Sequence, residues 1–413
     1  MGKDKNMKIN IKKIIKSINS VKILACVFML FTIYVGIEAF PVVLVELSNM
    51  TKSGGHDFVD IRDNLDKSYA NMLSTEINKP ALRNAGTYIN LNGLMAHMLG
   101  QRYVNERIKL DNGQLTTLVE SVNTNLASER MTTFFLQQKE RNKHFLFVVA
   151  PNMISKYDSG IPVGYQNFSN DNTDSLVSSL SKNNVPILDL REKMHEQGIS
   201  HSEAFYKTDH HWKTETGLWA YTEIVQSLTE MGAIPKVDSS YTNVDNFESR
   251  LYKDWFLGSS GKRTGRYYAG LDDFQLIIPK FETNMTLEIP TSKISNSGKF
   301  EDVALNMKML NKKDYFNANP YSVYGYAERD LSHWWNEYAP VNQKVLMIGD
   351  SFGNVPFAFL PLVISTCDEM DMRYFKEDFE SYYDEFEPDI VIFLINATSP
   401  SADNTTYDFF PTK

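Results

Sequence analysis

From about residue 85 onward, short apolar runs alternate with amphipathic stretches. Phe145-Leu146-Phe147-Val148-Val149-Ala150, closed by Pro151-Asn152, has the length and the breakers of a buried strand. Val185-Pro186-Ile187-Leu188-Asp189-Leu190 is a second such run, with a polar helix after it. Val345-Leu346-Met347-Ile348 and Ile390-Val391-Ile392-Phe393-Leu394-Ile395 are two more, the latter preceded by an acidic amphipathic segment from Glu377 to Phe386. Between Lys213 and Met231, Leu218, Tyr221, Ile224, Val225 and Leu228 recur at helical spacing. Strands alternating with helices predict an α/β fold, a parallel sheet with helices on both faces. Ligands of such sheets sit at the carboxyl ends of the strands, and Ser351 lies just past one of those ends.

The pattern changes between about 235 and 340. Runs such as Phe274-Gln275-Leu276-Ile277-Ile278 and Met285-Thr286-Leu287-Glu288-Ile289 alternate with turn residues, which predicts a β-rich insertion packed near the sheet. Residues 46–85 are polar and charged and read as a stalk or linker ahead of a domain at 86–413. No internal repeat or low-complexity tract is visible.

The N-terminus has a different character. Residues 1–22 carry seven lysines against the single acid Asp4, about +6 by ordinary charge states, so the rest of a chain of net charge −9 is about −15. An acidic body argues against a nucleic-acid partner. Residues 23–45 form an apolar run broken by Glu38, close to the roughly 20 residues that a spanning helix needs. The lysines before it orient a signal anchor with the 1–22 tail in the cytoplasm and the body outside. A cleaved signal peptide is the alternative, although no small-x-small site follows the run. A lipoprotein reading through Cys26 is weaker, because the apolar stretch follows the cysteine. With Cys26 in the span and Cys367 far away, no disulfide framework is expected, which fits a bacterial cell surface.

Two motifs carry chemistry. Gly349-Asp350-Ser351-Phe352 puts a serine directly after a buried strand, where a tight turn exposes the hydroxyl and aims backbone N–H groups at a developing oxyanion. The same tripeptide also suits an ordinary turn with a helix N-cap. Asp209-His210-His211-Trp212 offers an acid and two imidazoles. In an extended segment Asp209 and His211 share a side, so Asp209 can hold one ring nitrogen while the other faces Ser351. A helix cap at Thr208 or Asp209 is the plainer reading, with Trp212 as core. A metal site is disfavoured: adjacent ligands chelate poorly, and no third histidine or cysteine cluster is near.

Asp-His-His-Trp, preceded by Phe205-Tyr206-Lys207-Thr208, resembles the signature of the DHHW family of bacterial surface proteins, which is similar to the SGNH hydrolase-like alginate O-acetyltransferase group. The resemblance covers roughly residues 85–413. It takes in Gly349-Asp350-Ser351-Phe352-Gly353, Phe256-Leu257-Gly258-Ser259-Ser260-Gly261-Lys262-Arg263-Thr264-Gly265, Met370-Asp371-Met372-Arg373-Tyr374 and Pro388-Asp389-Ile390-Val391-Ile392-Phe393-Leu394. It implies an SGNH-like fold in which the Asp-x-His element precedes the serine. It also implies Ser351 as nucleophile, His211 as base and Asp209 as the residue orienting that base. Arg373, Asn396 and Trp212 are further candidates: Arg373 for a glycan or an acyl carbonyl, Asn396 for the oxyanion and Trp212 beside the substrate. For Arg373 a salt bridge with Asp368, Glu369 or Asp371 is the competing reading, and for Asn396 a turn at the strand end. The basic loop Lys262-Arg263 with Arg266 suits either an anionic glycan or solvent. Trp219 and His333-Trp334-Trp335 suit sugar stacking less well than core packing.

The resemblance implies a membrane-anchored extracellular O-acetyltransferase for an exopolysaccharide or cell-wall polymer, working through an acetyl-serine without cofactor or metal. Its partners would be a membrane-bound acyltransferase that supplies acetyl groups and a polysaccharide acceptor. A polysaccharide acetylesterase with the same residues, or a non-catalytic glycan-binding or assembly protein, are the alternatives.

Overall fold

The structure, a computed structural model, describes residues 26–30, 32–33, 85–326 and 330–396. The expected tail at 1–22, most of the expected anchor at 23–45 and the expected stalk up to residue 84 lie outside the described residues. Among the described residues no helix is long and apolar enough to cross a membrane.

Strands β1 Tyr103–Val104, β2 Arg107–Lys109 and β3 Leu115–Thr116 make a small antiparallel sheet. The main sheet holds β4 His144–Ala150, β5 Ile187–Asp189, β8 Met285–Ile289, β9 Ile294–Gly298, β10 Leu331–Asn336, β11 Val341–Gly349, β12 Ile364–Met370 and β13 Ile390–Asn396, and a separate hairpin pairs β6 Phe247–Phe256 with β7 Asp272–Pro279. The helices are α1 Ala85–Met98, α2 Asn125–Glu140, α3 Ser169–Lys182, α4 Leu190–Glu196, α5 His201–Ala204, α6 Thr214–Glu230, α7 Ser259–Thr264, α8 Arg266–Ala269, α9 Phe300–Ala304, α10 Asn354–Phe359 and α11 Phe379–Phe386.

The main sheet runs in the order β5-β4-β13-β11-β12-β10-β8-β9. The strands from β5 to β12 are parallel, as the apolar runs imply. The other three are antiparallel, which corrects the expectation of a purely parallel sheet. Three strands of the expected β-rich insertion therefore extend the main sheet, and only β6–β7 stands apart. The reason is chain length. Four residues separate β8 from β9, with Lys293 in the left-handed region (φ 53°). Such a link closes an antiparallel hairpin and is too short for the crossover that a parallel pair requires.

Alternate side chains of the central strands enter two different cores. On one face Val345 and Met347 of β11 pack with Leu146, Val148, Ile392 and Leu394, under α6 and α10. On the other face Leu346 and Ile348 pack with Phe145, Phe147, Val391 and Phe393, covered by Met131 and Phe134 of α2, Leu176 and Leu180 of α3, and Phe379 of α11. Both faces being covered explains why these strands read as continuous apolar runs. Truncating any one of these aliphatic side chains to alanine is expected to cost about 2–5 kcal/mol. The central strands also end level: Gly349 pairs with Leu394, and Leu394 with Val148. The loops after β4, β11 and β13 consequently share one edge of the sheet.

Candidate active site

Ser351 follows the carboxyl end of β11 and opens a 3-10 turn, Ser351–Gly353, that runs into α10. Asp350 fastens this turn on both sides. Its Oδ1 accepts from the N–H of Phe352 at 2.9 Å, and its carbonyl accepts from the N–H of Gly353 at 2.8 Å. Its Oδ2 accepts from Asn396 at the end of β13, from Nδ2 at 2.7 Å and from the backbone N–H at 3.0 Å. Two N–H groups of the turn thus end on Asp350, and neither bond uses the N–H of Ser351. Gly353 allows the close fit beneath the turn, since a Cβ there would lie 2.6 Å from the ring of Phe357.

The second element is the loop between α5 and α6. Phe205 and Trp212 face each other across an isolated antiparallel bridge, and Lys213 donates to the carbonyl of Ala204 at 2.8 Å. Phe205, Tyr206 and Trp212 are buried, so apolar side chains anchor the neck of the loop and leave residues 207–211 at its tip. Asp272, at the start of β7, accepts from the N–H of Lys207 at 2.9 Å and from the N–H and hydroxyl of Thr208 at 2.8 and 2.7 Å. The tip is not the extended segment expected from the two-residue spacing. Asp209 Oδ1 accepts from the backbone N–H of His211 at 3.0 Å, and this side-chain turn puts the carboxylate beside the ring.

The loop and the turn meet. His211 Nδ1 lies 2.5 Å from Asp209 Oδ1, and His211 Nε2 lies 2.8 Å from Ser351 Oγ. A carboxylate only accepts, so the proton on Nδ1 points to Asp209 and Nε2 is left to accept from the serine hydroxyl. Asp209 Oδ2 accepts from the N–H of Ser259 at 2.6 Å. Gly258 wraps the carboxylate so closely that a Cβ there would lie 2.2 Å from Asp209 Cβ. Burial opposes ionisation of Asp209, but the neighbouring rings of His211 and His210, the bond from His211 and the Ser259 N–H together hold its carboxyl well below the usual range.

Aromatic rings fix His211 in place. Tyr321 stacks on it at 4.0 Å and 15°, Phe352 lies at 5.2 Å, and His210 tilts over it at 3.8 Å. His210 sends Nδ1 to Ser259 Oγ at 3.0 Å and leaves 48% of its side chain open to solvent. Its pKa is lowered by crowding in the crevice and by the like charges of His211, Arg107 and Arg373, against the pull of Asp209. The exposure makes that desolvation partial. Asp209, His210 and His211 have ligand atoms within 4.8 Å of one another. In this arrangement, however, Asp209 and His211 direct those atoms at each other and His210 turns to Ser259.

The other sequence candidates fall in different places. Trp212 is fully buried, with Nε1 on the Tyr321 hydroxyl at 3.1 Å. It is a core support of the loop and not a substrate contact, which corrects that expectation: a side chain sealed from solvent cannot touch a ligand. Asn396 directs its amide at Asp350 and so reaches the serine turn indirectly. Arg373 forms a two-pronged pair with Asp371, with Nη2 to Oδ2 at 2.5 Å and Nε to Oδ1 at 2.9 Å, while its charge still reaches His210. In the basic loop, Lys262 donates to the carbonyl of Ala318, Arg263 pairs with Glu106, and Arg266 donates to the hydroxyl of Tyr267. Trp334 is buried, and Trp219 donates to Gln197. Sequence reasoning missed Tyr321, Asp272 and the role of Asp350. The first two lie 110 and 61 positions from His211, and no local spacing marks them.

Residues 117–247 match the family described as the SGNH hydrolase-like domain of acetyltransferase AlgX. No curated protein matches the chain. Among solved structures, PatB1 of Bacillus cereus superposes with a TM-score of 0.60 at 18% identity, covering 73% of this chain and 99% of PatB1. The same protein solved with a sulfonyl adduct gives 0.60 at 16% identity, covering 74% and 97%. A DHHW family protein from Eubacterium siraeum gives 0.52 at 15% identity, covering 75% and 97%. At such identities the likeness is one of fold, and the chain accordingly has an SGNH hydrolase-like α/β fold that resembles the DHHW and AlgX-type proteins.

Proposed function

We propose that this chain is a serine acyltransferase, an O-acetyltransferase for a bacterial polysaccharide, with Ser351, His211 and Asp209 as its triad. The observation that carries this reading is the unbroken series of hydrogen bonds from Asp209 through His211 to Ser351. The AlgX acetyltransferase description of residues 117–247 supports it, as does the sulfonyl adduct on PatB1, since sulfonyl reagents are electrophiles that activated hydroxyls attack.

In the first half-reaction Ser351 Oγ attacks the acetyl carbonyl while its proton passes to His211 Nε2. The carbonyl electron pair moves onto oxygen, where the N–H of Ser351 at the head of its turn donates to it. Collapse expels the donor's leaving group, which takes the proton from His211, and leaves acetyl-Ser351. A sugar hydroxyl then attacks this ester as His211 takes its proton, and collapse returns the proton to Ser351 Oγ. Asp209 keeps Nε2 as the accepting nitrogen and stabilises the imidazolium that forms in each half. Residues 23–45 would hold the domain on the outer face of the cell membrane, beside a multi-spanning acyltransferase that supplies acetyl groups.

A second reading, acetylesterase, draws on the solvent-open flank at His210, because transfer requires that water be kept from the acetyl-enzyme. Incubation with a chromogenic acetyl ester, with and without glycan, separates the two. Transfer predicts acetylated glycan and a release rate that depends on acceptor. Release that ignores every acceptor supports the esterase, and no release at all, with no acyl-enzyme, contradicts both.

A further inference from the structure

The small β1–β3 sheet, tied to the Asp209–His211 loop by the bond from the Leu115 N–H to the Lys207 carbonyl at 2.9 Å, carries an aromatic feature that the triad does not use. Tyr103 on β1 and Tyr165 in the loop between β4 and α3 stack at 6.1 Å and 19°. Their exposures are 46% and 38%, so the core does not account for them. The loop bearing Tyr165 leaves β4 at the edge where Ser351 leaves β11.

The sheet that carries Tyr103 is also bonded to the segment that holds the triad acid. Val104, next to Tyr103, pairs with Arg107 across the tight turn Asn105-Glu106, whose two residues both have positive φ. Arg107 Nε donates to Ser260 Oγ at 3.1 Å. The neighbouring Ser259 holds both Asp209 and His210. The Arg107 guanidinium also feels the charges of both Tyr103 and Asp209. Arg102 donates to the carbonyls of Lys109 and Leu110, and Asn105 to that of Arg263, so the strand that carries Tyr103 is held on both sides. A ligand that fits a pair of part-exposed phenol rings is apolar on one face and hydroxylated around its edge, where the tyrosine hydroxyls can reach it. A pyranose ring has that form: its C–H face packs on the negative face of an aromatic ring, and its hydroxyls reach the rim.

We propose that Tyr103 and Tyr165 form a sugar-binding subsite that seats a ring of the acceptor glycan. This subsite rests on the reading of a polysaccharide as acceptor. It places the acetylated hydroxyl on a neighbouring part of the same glycan, so the enzyme selects chains over single sugars.

Binding of two neutral probes, the pentamers of β-1,4-linked N-acetylglucosamine and β-1,4-linked glucose, is measured calorimetrically on the full chain and on Tyr103→Ala, Tyr165→Ala and Tyr103→Phe. At least one probe is expected to bind, each alanine variant to weaken it about tenfold, the order of one lost stacking contact, and Tyr103→Phe to retain it. Absence of binding by the unmodified chain to both probes, or alanine variants within twofold of it, overturns the subsite. If Tyr103→Ala does not fold, Tyr165→Ala alone decides, because Tyr165 lies in a surface loop. Sulfonyl fluoride labelling of Ser351 is followed in parallel and is expected to be equal in all variants. Failure of labelling with intact glycan binding removes the acyltransfer reading and leaves the subsite standing.

Discussion

The ring nitrogen of His211 lies 2.8 Å from the hydroxyl of Ser351, although 140 positions separate them in the chain. Two structural devices create this contact: the apolar neck that holds the Asp209–His211 tip and the Asp350 cap that turns Ser351 out of β11. The two histidines of the motif consequently do different work. His211→Ala removes the proposed base and is expected to abolish acetyl-ester turnover. His210→Ala removes a half-exposed ring that covers His211 and bonds Ser259 but does not reach Ser351 in the hydrogen-bond series, and is expected to keep measurable turnover. Steady-state rates for both variants check this, and equal losses contradict the division of roles.

Asp209→Asn keeps the shape of the acid but lets the amide donate to Nδ1, which puts the His211 proton on Nε2, facing the serine. The expected loss in kcat is roughly four orders of magnitude, with the fold intact by circular dichroism. Retained activity would mean that the carboxylate only supports the loop.

Gly258→Ala tests the wrapping of the acid from the other side. The added methyl would sit 2.2 Å from Asp209 Cβ and 2.6 Å from Oδ2, so Asp209 or the loop must move. Misplacement of this kind costs about a hundredfold in rate. The expected result is a fall of that order in kcat/KM with a lowered melting temperature. Wild-type kinetics would show that the site tolerates displacement of its acid.

A pH effect on stability arises away from the site, where His333 Nδ1 lies 2.9 Å from the buried Asp368. Burial works against the charged ring, but the bond and charge of Asp368, with Glu288 and Glu377 further off, outweigh it and raise the His333 pKa. A raised folded pKa means that the native state binds this proton more tightly than the unfolded chain. The stabilisation is fully present below the ordinary histidine value of about 6.5 and is lost as pH rises through the raised one. The melting-temperature gap between the unmodified chain and His333→Gln is therefore expected to be wider near pH 5.5 than near pH 9, on either side of the histidine range. A gap that widens with pH contradicts the assignment.

The parallel half of the sheet was legible because strands covered on both faces are apolar throughout, as Phe145 to Ala150 and Ile390 to Ile395 are. The antiparallel half was recognised as β-rich but not as part of the same sheet, because alternation in Met285–Ile289 reports one covered face and says nothing of which strand lies beside it. Ser351, His211 and Asp209 stood out because few residue types do acid–base chemistry and these sit in short motifs. Trp212 misled for the opposite reason: an indole beside a reactive histidine suits a ligand and a core equally well, and only its burial decides. Tyr321 and Asp272 had no local signal, since the contacts that give them meaning form only when distant segments fold together.

In the proposed reaction Ser351 carries the acetyl group. Rapid acid quenching of the chain during turnover of an acetyl ester, followed by peptide mass spectrometry, reads this directly. The expected result is an acetylated peptide containing Ser351 that disappears in Ser351→Ala and fails to form in His211→Ala. Turnover with no acetyl on Ser351, or acetylation that persists without His211, would contradict it.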